Sequence, residues 1–336
     1  MRAIELPEFG LSNLRETQRE SRPPQHGEVQ IRMRAACLNY RDLLMVQGKY
    51  NPRQPLPLVP LSDGVGIVEA VGTGVTRFKP GDRVCPIFAQ GWHAGEPTRE
   101  KLRRTLGGPV DGTLQQTMTV SELDAVHAPA ALSDVEAACL PCAAVTAWSA
   151  LFTHGALKPG ESVLVQGTGG VSMFALQFAV AAGARVIVTS SSDEKLELAK
   201  AMGAAHTINY RQIPDWGRTA KDMAGGDGVD HIVEVGGAGT LTASLKAVRP
   251  GGAIYVIGVL SGTAEQLNII PILMQNIRVQ GILVGHRESF EAMNAAISAH
   301  KIHPHISHSF AWTDVSQAFD VMSSASHIGK IVLEFE

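Results

Sequence analysis

Ser162-Val163-Leu164-Val165-Gln166-Gly167-Thr168-Gly169-Gly170-Val171-Ser172 is the stretch that decides the fold. Its first five residues are apolar enough for a buried strand, and a helix reads from about Val171 to Ala182. Between them stands Gly-x-Gly-x-x-Ser, a form of the glycine turn whose third position accepts other small residues. Gly167 permits the tight turn, Gly169 lets a pyrophosphate come against the backbone, and Gly170 adds room. Ser172 is small enough for the helix to pack closely on the strand. Thr168 and Val171 complete the segment, whose helix start offers N–H groups and a positive dipole end to phosphates. A lone glycine triplet carries little information, but one set between strand and helix carries much.

Downstream the alternation continues. Strands read at Arg185–Thr189, His206–Tyr210, Val229–Val235, Ala253–Ile257 and Val279–Val284, with a helix from Asp193 to Met202 closed by Gly203. Interleaving of this kind predicts an α/β, doubly wound parallel sheet. Upstream, residues 1 to about 130 read as nearly all β, with runs such as Val29–Met33 and Gly64–Val71 between turns at Pro80-Gly81-Asp82 and Asp111-Gly112. Residues 88–113 break that rhythm and predict a surface excursion with Trp92, His93 and a charged helical piece from Thr98 to Leu106. Ser133-Asp134-Val135-Glu136 reads as a capping box. The tail holds a helix near Ser289–Ser298 and a last strand, Lys330–Phe335.

The chain has 336 residues, 45% hydrophobic and 18% charged, which predicts two domains of an ordinary globular enzyme. Its net charge of −3 gives no electrostatic reason to expect nucleic acid or an anionic membrane as partner. No run of apolar residues reaches membrane-spanning length and the first residues do not read as a leader, so a cytoplasmic setting is expected. Cys139 and Cys142 have C-x-x-C spacing, but in an apolar run with no second pair they read as buried thiols. His300, His303, His305 and His308 spread across a proline turn and read as solvated or packing residues rather than a metal box.

Cofactor selectivity is read at the end of the second strand. An NAD site usually places a carboxylate there, about 20 residues past the glycine turn, against the ribose 2′-hydroxyl. Here the tip is Ser190-Ser191-Ser192, with Asp193 and Glu194 belonging to the following helix. Hydroxyls of Ser190 and Ser191, with Lys195 close behind, suit a 2′-phosphate, so NADPH is expected over NADH. A solvated helix lysine is the other reading of Lys195.

Asn39-Tyr40-Arg41-Asp42, Asp63-Gly64-Val65-Gly66-Ile67-Val68-Glu69, Lys79-Pro80-Gly81-Asp82-Arg83-Val84, Leu140-Pro141-Cys142 with Thr146-Ala147-Trp148, the glycine turn and Gly281–Gly285 together carry a resemblance. Over essentially its whole length the chain resembles the medium-chain dehydrogenase/reductase superfamily, and within it the zinc-free quinone oxidoreductase and enoyl reductase branches. The resemblance implies a GroES-like catalytic domain at 1–143 and 287–336 around a Rossmann cofactor domain at 144–286. It also implies an NADPH-binding oxidoreductase, and a homodimer paired along the exposed Val279–Val284 edge.

The same resemblance raises the question of zinc. Relatives that hold a catalytic zinc use three positions that fall here on Asn39, Ser62 and Cys142, of which only Cys142 keeps a ligand type. The cysteine-rich lobe of those relatives is represented only by Cys85. No zinc is expected, and with it the main electrophile for plain alcohol oxidation is missing. The expected substrate is a quinone or α,β-unsaturated carbonyl, whose developing oxyanion needs only hydrogen-bond donors. The resemblance puts Tyr40 and Asn39 at the nicotinamide as those donors, with Asp42 beside them. Pocket lining for Tyr40, backbone bonding for Asn39 and an Arg41–Asp42 ion pair are the structural alternatives. By motif position Thr146 falls at the nicotinamide, Tyr210 at the adenosine phosphate, Val235, Gly258 and Val259 at the carboxyl edge, and Arg287 near the cofactor or in a surface salt bridge. Competing readings are a zinc-free alcohol or aldehyde dehydrogenase and an NADPH-binding structural protein.

Overall fold

The strand Ser162–Gln166 and the helix Gly170–Ala181 stand where the glycine turn requires them, and the strand is buried along its whole length. The computed structural model describes residues 1–336. Contacts divide the chain into two units, Met1–Val145 with Gly285–Glu336, and Thr146–Val284.

The second unit is built on six parallel strands in the order His206–Asn209, Arg185–Ser190, Ser162–Gln166, Val229–Glu234, Val248–Val256, Arg278–Gly281. Both faces of such a sheet are covered by crossover helices, so its central strands carry unbroken Val, Ile and Leu rather than an alternating pattern. Leu164, Ile187, Ile208, Ile232 and Ile254 pack under Trp216 and Leu245. The order reverses at Ser162–Gln166, where ligands bind in open sheets of this kind. Arg278–Gly281 ends the sheet, and beside it the helix Ile270–Met274 leaves Ile270, Leu273 and Met274 exposed. No helix is long and apolar enough to cross a membrane.

In the first unit the path of the larger sheet runs Ile306–Ala311, Lys330–Glu334, Glu28–Cys37, Asp63–Val71, Arg83–Pro86, Ala125–His127, with Thr117–Ser121 also paired to Glu28–Cys37. Arg2–Glu5 and Arg15–Gln18 form a separate hairpin. The region before residue 130 is nearly all β, with one α-helix, Tyr40–Val46, opened by a capping box between Asn39 and Asp42. One expectation is corrected here. The helical piece at Thr98–Leu106 is only a short 3₁₀ turn, Lys101–Arg103. Nine residues are too few to nucleate a helix unaided, and the Lys101 ammonium bonds the carbonyls of Ala94 and Glu96 instead. The capping box at Ser133–Glu136 is present, and Cys37, Cys85 and Cys139 are buried free thiols.

Candidate active site

Gly167 adopts φ +70°, a conformation that favours glycine, and a Cβ built on Gly167 or Gly169 meets no protein atom within 4 Å. The room above the turn is therefore open, and the helix behind it starts at Gly169 without a side-chain cap. Those free N–H groups suit a pyrophosphate. Ser172 turns its hydroxyl back to Gln166 O at 2.7 Å, locking helix to strand. Thr168 and Thr146 are both buried, Thr146 in the short helix Val145–Trp148.

Beneath the turn lies a group the sequence reading missed. The carboxylate of Glu234 is fully buried and accepts from Gln166 Nε2 at 2.6 Å, Gly236 N at 2.9 Å, Gly237 N at 3.0 Å, Thr240 Oγ1 at 2.5 Å and Ser244 Oγ. Gln166 Oε1 in turn accepts from Val235 N and Gly236 N at 3.3 Å. The residue before the glycine turn is thus tied to the loop at Val235. Gly258 closes against that loop, since a Cβ there would lie 2.4 Å from Val235 O, and Val259 is exposed beside it. The available signal was a Gln and a Glu ending two neighbouring apolar strands.

At the selectivity position Tyr210 N donates to Ser190 O at 3.1 Å, which brings those two expected residues together. Ser190 is buried and its Oγ accepts from Ser192 N at 3.3 Å. Ser192 caps the next helix by accepting from Lys195 N. Asp193 is committed to Asn209 Nδ2 at 2.7 Å and Gln212 Nε2 at 2.9 Å. Ser191 and Lys195 are left partly exposed, and burial lowers the Lys195 pKa.

The first unit gathers Asn39, Ser62, Asp63, Cys142 and Lys330. Asn39 Nδ2 lies 3.4 Å from Ser62 Oγ, and Ser62 Oγ donates to Asp63 Oδ1 at 2.9 Å. Asp63 Oδ2 accepts from Cys142 N at 3.2 Å. Lys330 Nζ donates to Asn39 Oδ1 at 2.6 Å. Burial raises the pKa of both Asp63 and Cys142, so Cys142 is a neutral thiol. Tyr40, next along, is 44% exposed, and its hydroxyl has no protein partner. Arg41 donates to the carbonyls of Leu106, Gly107 and Gly108 and to Thr105 Oγ1, and its guanidinium stacks over Tyr50 and Phe88.

Asp42 is buried as the far end of the capping box, where its Oδ2 accepts from Asn39 N at 2.8 Å. Its Oδ1 lies 3.5 Å from Arg41 Nη1. Burial pushes its carboxyl up to about 6, despite Arg41 and the Asn39 N–H. A carboxyl raised in the folded state stabilises the fold below the unfolded pKa, and that contribution is lost as pH rises through the folded one. At ~1.4 kcal/mol per pH unit, the rise from 3.8 corresponds to about 3 kcal/mol. Asp42→Asn keeps an acceptor for Asn39 N and has no charge to bury. Its Tm is expected to fall less between pH 4 and pH 7 than that of the parent; equal slopes would refute the assignment.

Arg287 opens the helix Arg287–His300 with its guanidinium engaged by Leu123 O at 3.0 Å and, at 3.6 Å, by Glu291. His286, whose role the sequence left open, is the N-cap of that helix, accepting from Ser289 N at 3.1 Å, and it meets Trp92 edge-on. In the excursion His93 Nε2 pairs with Asp124 Oδ1 at 2.9 Å.

Comparison with known proteins places both units. Residues 25–130 match the alcohol dehydrogenase GroES-like domain, and residues 170–299 match the zinc-binding dehydrogenase family. A zinc-type alcohol dehydrogenase-like protein of Schizosaccharomyces pombe is 46% identical over 92% of this chain and 91% of its own length. An acryloyl-coenzyme A reductase of Metallosphaera sedula is 30% identical over 92% of this chain and 93% of its own. A crystal structure from Sinorhizobium meliloti 1021, provisionally described as an alcohol dehydrogenase, superposes with TM-score 0.92 at 42% identity, covering 99% of each chain. With its glycine turn, GroES-like sheet and full-length relatives, the chain is an oxidoreductase that belongs to the medium-chain dehydrogenase/reductase superfamily.

Proposed function

We propose that this chain is an NADPH-dependent, zinc-independent reductase of quinones or α,β-unsaturated carbonyls. One observation carries the reading: the Lys330 ammonium bonds the Asn39 amide at 2.6 Å, in the cluster that holds all three zinc-ligand positions. An amide and a hydroxyl at two of the three positions, beside a fixed cation, do not fit zinc, which needs three electron-rich ligands and an open fourth place. The same cluster does fit a polarised carbonyl oxygen, because it offers donors. When bound, NADPH supplies the hydride. Tyr40 Oη and Asn39 Nδ2 hold the charge that develops on the carbonyl oxygen, and the GroES-like sheet keeps them in place. The acryloyl-coenzyme A reductase among the relatives acts on a conjugated acyl group, which belongs to the same chemical class. The relatives described as alcohol dehydrogenases favour a second reading, zinc-free oxidation of an alcohol or aldehyde.

Initial rates of NADPH oxidation by quinones and enones, set against rates of NADP⁺ reduction by alcohols, separate the two. Quinones or enones are expected to give the faster turnover, unchanged by a chelator; faster turnover of alcohols would overturn the substrate class, and loss of turnover with a chelator would overturn zinc independence.

For the cofactor, Ser191 and Lys195 stand where a carboxylate would favour NADH, while Asp193 is already consumed by Asn209 and Gln212. NADPH is expected to bind at least about tenfold tighter than NADH, a difference of ~1.4 kcal/mol that one charge-assisted bond can supply. Isothermal titration with both cofactors decides it, and equal affinities would refute it.

We also propose a homodimer, in a cytoplasmic setting suited to four free cysteines. The sheet ends at Arg278–Gly281 beside the exposed Ile270, Leu273 and Met274, and a second copy would cover both the unpaired backbone and the apolar surface. Light scattering is expected to give twice the 35.8 kDa chain mass, whereas a monomer at micromolar concentration would refute this.

A further inference from the structure

Lys330 opens the last strand, Lys330–Glu334, and is only 3% exposed. A buried ammonium must spend its donors, and it does. Nζ donates to Leu38 O at 2.9 Å and to Asn39 Oδ1 at 2.6 Å, and lies 3.8 Å from Asp63 Oδ2. Burial alone would discharge it, but the two oxygen acceptors and the nearby Asp63 carboxylate hold the charge in place.

The consequence falls on Asn39. The oxygen and nitrogen ends of an amide have nearly the same shape, so packing alone does not choose between them. An ammonium carries donors and no acceptor, so the end of Asn39 that faces it must be oxygen. The nitrogen end is thereby turned toward Ser62 Oγ, 3.4 Å away. That is the long limit of a hydrogen bond, so this N–H is available to a better acceptor. Ser62 already spends its own proton on Asp63 Oδ1, so it faces the amide as an acceptor.

We propose that Lys330 is a positioning residue for reduction: its ammonium fixes the Asn39 amide with the N–H₂ end toward the substrate oxygen. The inference rests on the reading of Asn39 as an oxyanion donor. Lys330 touches no reacting atom and acts through one hydrogen bond. That bond also draws electron density from the amide oxygen and so strengthens the N–H as a donor. In the free enzyme the amide waits in the orientation that the developing charge requires, with no reorganisation left for the reaction itself.

The experiment is a double-mutant cycle read in kcat on the best conjugated substrate, with NADPH affinity measured alongside. Asn39→Ala and Lys330→Met are each expected to lower kcat by at least about tenfold, toward the roughly hundredfold to thousandfold cost of losing one preorganised oxyanion donor. Affinity for NADPH is expected to stay within about twofold, and the double variant to be no slower than the slower single one. Asn39→Asp keeps the size and the contact to Lys330 but has no donor, and is expected to be as slow as Asn39→Ala. Lys330→Met strands the Asp63 charge, so the cycle is repeated in an Asp63→Asn background, where none is left unpaired. If Lys330→Met costs the same factor with Asn39 present or absent, the positioning role is wrong while the donor reading stands. Full turnover by Asn39→Ala overturns the donor reading, and the positioning role with it.

Discussion

Tyr40→Phe is expected to lower kcat for a conjugated substrate by about tenfold to a hundredfold and to leave NADPH affinity within about twofold. The hydroxyl is the only group removed. It has no protein partner, so its loss strands no neighbour and creates no cavity, and any effect on rate comes from what the hydroxyl does to substrate. A fully dry, preorganised donor is worth about a hundredfold to a thousandfold. Tyr40 is 44% exposed in the free chain, which argues for the lower part of that range. The measurement is single-turnover reduction at saturating NADPH, which isolates the chemical step from product release. An unchanged rate would make Tyr40 a pocket wall, and the donor set would then reduce to Asn39.

Glu234→Ala is expected to produce the larger change, and in a different quantity. Five donors converge on that carboxylate, three of them from side chains on Gln166, Thr240 and Ser244. Removing the buried carboxylate leaves each partner that water does not reach unsatisfied at about 1–3 kcal/mol, so a loss of at least about 3 kcal/mol in stability follows. The loop at Val235–Gly237 loses its anchor, and through Gln166 so does the entry to the glycine turn. NADPH affinity is therefore expected to fall at least about tenfold even where the protein remains folded, because the loop must be ordered at the moment of binding. Glu234→Gln, which keeps one acceptor oxygen but sets an NH₂ against other donors, is expected to fall between the two. Thermal unfolding with and without NADPH tests both statements. A Tm within about 2 °C of the parent with undiminished stabilisation by NADPH would refute them.

These two sites show why a sequence reveals some of a protein and hides the rest. The glycine turn was legible because it is local: strand, turn and helix lie within twenty residues, and Gly167 takes a left-handed conformation that favours glycine. The capping box at Ser133–Glu136 was legible on the same grounds. Asn39 and Asp42 were readable as neighbours with a chemical or a structural role, but the capping box that joins them was not read, because its signature is usually Ser or Thr followed by Glu. Lys330 and Glu234 were missed because their partners are far away along the chain. Lys330 reaches Asn39 across 291 residues, and Glu234 reaches Gln166 across 68. In sequence each is one charged residue bounding an apolar strand, a pattern shared by many solvated residues. Helices Trp216–Met223 and Ala238–Ala247 went unread for a related reason: each carries glycine and threonine, and tertiary burial of Trp216 and Leu245 outweighs weak local propensity.

The two ends of the excursion are fastened independently. At one end Arg287 N and Glu288 N donate to the carbonyls of Trp92 and His93; at the other Arg41 grips the carbonyls of Leu106 to Gly108. Gln90 N also holds Arg104 O and Trp92 Nε1 holds Gly95 O, so the stretch outside both clamps is Glu96 to Arg103, which can change length or composition while the clamps and the helix that bears Tyr40 stay in place. It behaves as an exchangeable cassette. Descendants of one ancestral gene could trade this segment while inheriting both clamps intact, and a library confined to those eight positions varies the surface without loosening the fold.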